Sequence, residues 1–366
     1  MRKFFVTLMT SLLGCATAFA FFPEAVDSSL ELGVGYRNDK IKWKNSANSF
    51  LFNGNDSTAV GIPARFRSEI EWRNLDIWQL SARGKYVTCD NLYLRGYADY
   101  GWITHGRVRD SDDCSLASRC NESYDFVRNA GFAFTRHNGR SRHGHVYDLS
   151  GAIGYQFKLC DDSMSLSPIV GYSWHGQHLQ FKRRNECGGY TYGCNDSYGS
   201  DYTYYDSYSD SSDSCYSSGS SCESNNHLSS RTRIRWNGPF VGIDLDYRFC
   251  CDWTFFADYE FHWARYHASG RWNRFEDFAN PIRFRQHARS AHGQIASVGV
   301  KWDFCDCWTL GIRGDFQCWR SRHGREKVKI SENDCGSIEQ VCYNSVPLKR
   351  VTWESAAVTI DIGMVF

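Results

Sequence analysis

The stretch that decides the fold is Ala356-Ala357-Val358-Thr359-Ile360-Asp361-Ile362-Gly363-Met364-Val365-Phe366, which ends the chain. Successive side chains of a β-strand point to opposite faces. One face of this strand is therefore wholly apolar, and the other is small or polar apart from Val365. Such a strand suits a barrel with lipid on one side and a filled lumen on the other. The alternative is the amphipathic last strand of a soluble β-sandwich.

Composition narrows the class of membrane protein. Hydrophobic residues make up 42% of the 366 residues, the mean hydropathy is -0.51, and beyond the N-terminus no apolar run is long enough for a transmembrane helix. A β-barrel needs no such run, because half of each strand faces the lumen. Aromatic residues at 16% suit the interfacial girdles of a barrel. A formal net charge of +1 without a basic block argues against nucleic acid as a partner.

The first twenty residues are predicted to be a signal peptide. Arg2 and Lys3 supply its charge, residues 4–13 its apolar core, and residues 18–20, Ala-Phe-Ala, its cleavage site. The mature chain is then 21–366, which we expect to be one barrel domain, since all-β barrels of this length form single units. Lipid attachment at Cys15 is the alternative interpretation of this segment.

The remaining chain contains nine more stretches with strand alternation, which makes ten strands with the last one. Four short turns, at 89–91, 160–162, 250–252 and 305–307, alternate with five longer loops. In the second strand the apolar alternation slips between Trp72 and Leu75, which predicts a β-bulge. The sequence therefore predicts an all-β fold, a ten-stranded antiparallel transmembrane β-barrel with short periplasmic turns, long extracellular loops and both termini on the periplasmic side.

Residues 182–231 are predicted to be one large extracellular loop. Between residues 190 and 230 there are 14 Ser, 8 Tyr and 5 Asp with almost no aliphatic side chain, so no core can form there. Asp206, Asp210 and Asp213 suggest weak calcium binding, and the tyrosines suggest an adhesive surface. The simpler interpretation is a solvated, variable loop.

Of the 16 cysteines, 15 lie beyond residue 20, a density that indicates disulfides in an exported protein. An odd number leaves at least one free thiol or an intermolecular partner. No zinc site is expected, because the spacings do not suit one. Four loop pairs with five or six residues between their members are candidates for local disulfides: Cys114 and Cys120, Cys187 and Cys194, Cys215 and Cys222, Cys335 and Cys342. The turn cysteines are Cys89, Cys160, Cys250, Cys251, Cys305 and Cys307.

Three segments resemble the omptins, a family of ten-stranded outer-membrane barrels whose founding members are surface proteases. Residues 96–102, Gly-Tyr-Ala-Asp-Tyr-Gly-Trp, fall where omptins carry an Asp-x-Asp-Trp motif. Residues 261–267, Phe-His-Trp-Ala-Arg-Tyr-His, fall where omptins carry a strand that leads to an Asp-x-His dyad. The strand that ends at Phe366 is similar to the C-terminal insertion signal of outer-membrane barrels. The cysteine-rich turns and the Ser/Tyr-rich loop resemble the omptin-like outer-membrane proteins of environmental chlamydiae.

The omptin resemblance implies a proteolytic site that this sequence only partly retains. Omptin chemistry uses an Asp-polarised His to activate water, opposite a pair of carboxylates. Gly101 replaces the second carboxylate, and no Asp stands two residues before His267. The candidates for a residual site are Asp99, His262 and His267. The alternative is that the inward charges, including Asp258 and Glu260, form a salt-bridged filling of the lumen.

We expect the protein to lie in the outer membrane with a structural, surface-display or adhesin-like role, rather than as an enzyme. An omptin-like endopeptidase with a degenerate Asp/His site is the alternative, and a small channel the third. No cofactor is expected, apart from lipopolysaccharide as an accessory lipid. The expected partners are outer-membrane lipid, envelope proteins or a second copy linked through disulfides, and a ligand on a host surface.

Overall fold

The computed structural model describes residues 27–51, 62–116, 131–192, 229–250, 252–272, 282–305, 307–329 and 343–366. These residues form twelve β-segments and contain no helix that is long and apolar enough to cross a membrane. The segments are β1 (Ser29–Leu51), β2 (Ile62–Val87), β3 (Leu92–Leu116), β4 (Gly131–Ser141), β5 (His145–Tyr155), β6 (Phe157–Leu159), β7 (Met164–Tyr192), β8 (Ser229–Cys250), β9 (Trp253–Trp272), β10 (Ile282–Cys305), β11 (Trp308–Lys329) and β12 (Tyr343–Val365).

The segments close into a ring of ten antiparallel strands. Each strand pairs with its neighbours in sequence, and β1 pairs with β12 from Ser29↔Val365 to Asn45↔Leu348, which closes the wall. β4, β5 and β6 are successive parts of one wall strand, since β4 and β5 both pair with β3 and β7. The chain departs from regular strand geometry at His143, where φ is 64°. The predicted barrel and its strand number are confirmed.

The outer surface carries an apolar band, most clearly on β12. Val358 and Ile360 are each 59% exposed, whereas Thr359 and Asp361, on the opposite face, are 1% and 4% exposed. Half-exposed apolar side chains continue this band around the ring. Aromatic residues border it, as in membrane-spanning barrels. Those on the side of the short turns include Trp253, Trp302, Trp308 and Phe366, and those on the other side include Trp78, Trp102, Trp174 and Trp263.

The interior changes character along the barrel axis. On β1, Glu31, Arg37 and Asp39 are buried at the level of the apolar band, whereas Ile41 and Trp43 are buried above it. The strands extend beyond the bilayer, so their upper parts have water outside and must bury their apolar residues inward. We call this apolar interior the upper plug. Its largest members are Trp43, Trp72, Trp236, Trp319 and Trp353, each 0% exposed.

The turn at residues 160–162 and the bulge in β2 lie where the sequence predicted them. The predicted bulge in β2 is confirmed, because the register shifts between Arg73 and Asp76 and Asn74 has a φ of 50°. The turn after β6 places Cys160, Asp161 and Asp162 at φ values of 52°, 53° and 66°. Asp tolerates this left-handed region better than most residues do, which explains its use there.

The predicted boundaries of the large loop need correction. β7 continues to Tyr192 and β8 begins at Ser229, so both ends of 182–231 are paired strand. Backbone hydrogen bonding to β4, from Ser141↔Phe181 to Gly131↔Tyr192, sustains this extension even where apolar side chains are sparse. Residues 193–228, with the candidate calcium ligands and most of the tyrosines, lie outside the described residues, as does the predicted signal peptide 1–20.

Candidate functional site in the barrel lumen

The lumen at the membrane level contains a buried cluster centred on Arg37. Its guanidinium donates to Asp39 through Nε (2.7 Å) and Nη2 (2.9 Å), and to Asp148 through Nη1 (2.5 Å). His175 Nδ1 lies 2.9 Å from the other oxygen of Asp148. The indole of Trp353 donates to Asp39 at 3.0 Å. Every charge in this cluster has a partner, which is the condition for keeping charges inside a barrel.

A second cluster on β9 contains the candidate residue His262. His262 Nδ1 lies 2.9 Å from Ser173 Oγ, and Nε2 lies 2.8 Å from Glu260 Oε2 without hydrogen-bond geometry. Glu260 is also bound by Arg95. Both Glu260 and His262 are 0% exposed. Among the described residues of the lumen, this Glu-x-His pair is the pattern most similar to the Asp-x-His dyad of omptins.

Asp99 belongs to a different group of contacts. Its carboxylate lies 3.7 Å from Arg83, which also contacts Asp315 at 3.4 Å. The ion pairs and hydrogen bonds of His262 run to Ser173 and Glu260 instead. The structure therefore faces both candidates into the lumen without bringing them into contact.

The third candidate, His267, lies on the outside of the wall. It is exposed on β9, four residues beyond the band-edge Trp263. Its ring centroid is 4.4 Å from that of His287 on β10. The alternation of β9 explains this position, since His262, Ala264, Tyr266 and other even-numbered residues there face inward. The structure does not bring His267 together with Asp99 and His262.

Further ion pairs line the lower lumen around a cavity of about 60 Å³. Lys85 Nζ contacts Asp27 at 2.8 Å and Asp246 at 3.0 Å. Arg313 contacts Glu31 at 3.1 Å, and Lys301 also binds Glu31. These pairs, the Arg37 cluster and the His262 cluster together extend from the end of the lumen at the short turns to the upper plug.

The upper plug covers the charged clusters on the side away from the short turns. The ring of Trp319 lies 4.5 Å from the ring of His175 and 4.9 Å from that of His262, centroid to centroid. Trp353 stacks on Trp319 at 5.7 Å. A substrate that came from outside would first have to displace these fully buried rings. The arrangement thus supports a filled interior better than an open catalytic groove.

The described residues hold no group of three His, Cys, Asp or Glu side chains suited to a metal ion. Cys89, Cys160, Cys250 and Cys307 are exposed free thiols at the end of the barrel where Ser28 and Phe366 lie. Cys251 and the side chain of Cys305 lie outside the described residues. The same applies to the side chains of the eight loop cysteines, although the backbones of Cys114 and Cys187 lie on β3 and β7.

Sequence reasoning missed Asp148 and His175 as members of the central cluster. The available signal was their position on the inward faces of β5 and β7, opposite lipid-facing Leu149 and Trp174. It also missed the upper plug. The signal there was the change on β1, where apolar residues move from even positions such as Val34 to odd positions such as Ile41.

The fold has known structural relatives. The outer membrane protease OmpT from Escherichia coli is 12% identical, with a TM-score of 0.59 over 94% of this chain and 99% of that chain. The translocator domain of the autotransporter NalP from Neisseria meningitidis is 12% identical, with a TM-score of 0.29 over 98% of this chain and 96% of that chain. The P. putida toluene transporter TodX is 10% identical, with a TM-score of 0.25 over 94% and 91%. At such identities, the likeness to OmpT concerns the fold alone.

The sequence itself matches no curated protein. The model of a family described as Protochlamydia outer membrane protein matches residues 31–366, nearly all of the barrel. Family and fold together put this barrel in the outer membrane. The chain belongs to the Protochlamydia outer membrane protein family.

Proposed function

We propose that the protein is a sealed outer-membrane barrel with a structural and surface-display role, without protease or pore activity. The observation that carries this proposal is the filled lumen. Paired charges occupy its membrane level, and the upper plug, with five fully buried tryptophans, closes it above. A ten-stranded barrel is narrow enough for side chains to fill its interior.

A function assay tests this proposal directly. The wild-type protein, refolded with lipopolysaccharide as an accessory lipid, is expected neither to cleave a dibasic peptide nor to give steady conductance in planar bilayers. An omptin protease refolded in the same way serves as the positive control for cleavage, and an open porin as the control for conductance. Steady wild-type conductance would replace the sealed barrel with the channel interpretation.

An omptin-like endopeptidase is the second candidate function. The observation that favours it is the Glu260–His262 pair on one lumen face, with His262 Nδ1 2.9 Å from Ser173 Oγ. Peptide cleavage that is lost in His262→Ala and retained in His267→Ala would support this candidate. Because His262 is fully buried, its replacement can disturb folding. Both variants must therefore keep the gel mobility of the folded wild type.

The turn cysteines support covalent links to the envelope as part of the structural role. Cys89, Cys160, Cys250 and Cys307 are exposed thiols in separate turns. Thiols in an oxidising compartment form disulfides where a partner is in reach. Neighbouring copies or periplasmic envelope proteins are the partners that we propose, because the thiols are exposed at the turns.

We expect non-reducing gels of native membranes to show high-mass species that collapse to the monomer on adding thiol. Replacing Cys89, Cys160, Cys250 and Cys307 with Ser should remove these species, because the exposed thiols carry the links. Cys318→Ser is the matched control, since that thiol is only partly exposed on the wall of β11. A wholly monomeric unreduced band for the wild type would show that the turns are not cross-linking sites.

A further inference from the structure

One side of the barrel carries a dense set of exposed cations above the apolar band. We call this surface the basic wall, and it lies on the four adjacent strands β8, β9, β10 and β11. Its members share an exposed side chain on the outer face of these strands. They include Arg231, Arg233, Arg235, Arg265, His267, Arg271, Arg285, His287, Arg289, Arg320, Arg322 and Arg325.

The wall places basic side chains directly opposite each other. Arg231 pairs in register with Arg271. A row of basic side chains crosses all four strands, with Arg235 opposite His267, His267 opposite His287, and His287 opposite Arg325. Like charges at directly opposite positions of a sheet are destabilising. The pair of Arg231 and Arg271, both permanently charged, therefore costs folding free energy unless an anion compensates it.

The described residues of β8 to β11 above the band supply no such anion on the outer face. On β8 to β11 above the band, the one described carboxylate is Glu326, and it is buried with its side chain bound to Asn45 and Gln286. By contrast, the lysines on the outer face of β1 have a carboxylate partner, since partly exposed Lys42 and exposed Lys44 both bind Glu69. The mutual repulsion is also visible at His267, whose pKa is lowered by partial burial and by His287, Arg265 and Arg235.

The height of the wall above the apolar band distinguishes two possible sources of the anion, the lipid phosphates and a molecule outside the membrane. Along β9 the wall runs from Arg265 to Arg271, two to eight residues beyond the band-edge Trp263. At about 3.3 Å per residue, Arg271 is about 26 Å along the strand from Trp263. The headgroup layer on one side of a bilayer is only about 5 to 7 Å thick. Lipid phosphates at the band edge therefore reach the lowest cations, and most of the wall stands above them.

The chemistry of the wall selects among polyanions. Arginine presents a planar fork that binds sulfate and phosphate groups with two hydrogen bonds. Among its described residues, the wall exposes small polar side chains such as Ser269 and Ser290 and no Phe, Tyr or Trp ring. Single-stranded nucleic acid is bound largely by stacking on such rings. A flexible glycan with sulfate groups needs no stacking platform.

We propose that the basic wall binds a linear sulfated polysaccharide supplied from outside the cell. The chain crosses the four strands and places its sulfates between the opposed basic side chains. This inference rests on one part of the surface-display role proposed above, namely that the upper barrel faces the outside of the cell. Its test is independent of conductance and proteolysis, so either proposal can fail without the other.

The test measures heparin binding to the full protein, refolded in nanodiscs of neutral phospholipid, as a function of salt. The wall variant is Arg231→Ser, Arg271→Ser and Arg325→Ser combined. We expect its heparin affinity to fall by about tenfold or more, and the salt dependence to become shallower, since three ionic contacts are lost. The variant should fold, because exposed substitutions change stability little and these relieve repulsion.

The matched control removes the same charge from the far side of the ring, with Arg107→Ser, Arg109→Ser and Arg140→Ser on β3 and β4. Wild-type affinity in this control would support the proposal. Equal weakening in both variants would overturn it in favour of nonspecific charge attraction. Wall-dependent binding of lipopolysaccharide vesicles without heparin binding would assign the surface to lipid, and binding of duplex DNA as tight as that of heparin would remove the glycan assignment.

Discussion

Replacing Arg37 with Met is expected to lower the free energy of unfolding by about 3 to 5 kcal/mol. The guanidinium is 2% exposed and neutralises two buried carboxylates, Asp39 at 2.7 Å and Asp148 at 2.5 Å. Methionine fills much of the same space but leaves both carboxylates without their cation. Removing one partner of a buried ion network costs more than the network itself contributes, because the remaining charges stay desolvated.

Urea unfolding in lipid vesicles, followed by tryptophan fluorescence, measures this loss. Lys44→Met is the matched control, because Lys44 is 49% exposed and pairs with Glu69 at the surface. Exposed ion pairs contribute about 0 to 1 kcal/mol, so the control should barely change stability. If Arg37→Met does not fold, the combination with Asp39→Asn and Asp148→Asn should restore folding, since no unpaired charge remains. A loss for Arg37→Met no larger than that of Lys44→Met would contradict the assigned role.

Much of the barrel follows from sequence alone because lipid and lumen impose opposite polarities on alternate residues. The last strand, with Val358 and Ile360 outward and Thr359 and Asp361 inward, shows how one stretch specifies both faces. Alternation does not specify height along the axis. Ile41 and Trp43 on β1 are as apolar as Leu32 and Val34, yet they fill the interior, because the strand has water outside at that level.

The candidate site was less predictable, since its contacts cross the lumen between strands that are not neighbours. Arg37 lies on β1 and Asp148 on β5, 111 residues apart in sequence. Strand periodicity shows that both face inward, but not that they stand at one height. His267 shows the opposite case, because its place in the sequence motif suggested a lumen position, whereas the alternation of β9 puts it on the outer face, opposite His287.

Replacing Trp319 with Ala is expected to lower the free energy of unfolding by about 3 to 5 kcal/mol and to open the lumen to ions. The indole is fully buried between the charged clusters and the rest of the upper plug. It contacts the rings of His175 and Trp353 at centroid distances of 4.5 and 5.7 Å. It also fits against Gly293, where an added Cβ would come within 2.3 Å of the ring. Removing it leaves a cavity next to polar groups, which water will enter.

Trp263→Ala separates this effect from the general cost of losing a tryptophan. Trp263 lies on β9 at the edge of the apolar band and is 53% exposed. Its loss removes contacts with lipid but leaves the plug intact, so we expect a smaller change in stability and no conductance in planar bilayers. Trp319→Phe, which keeps an aromatic ring in the plug, should fold and stay closed even if Trp319→Ala fails to assemble. Conductance in Trp263→Ala equal to that in Trp319→Ala, or none in a folded Trp319→Ala, would mean that this ring does not seal the barrel.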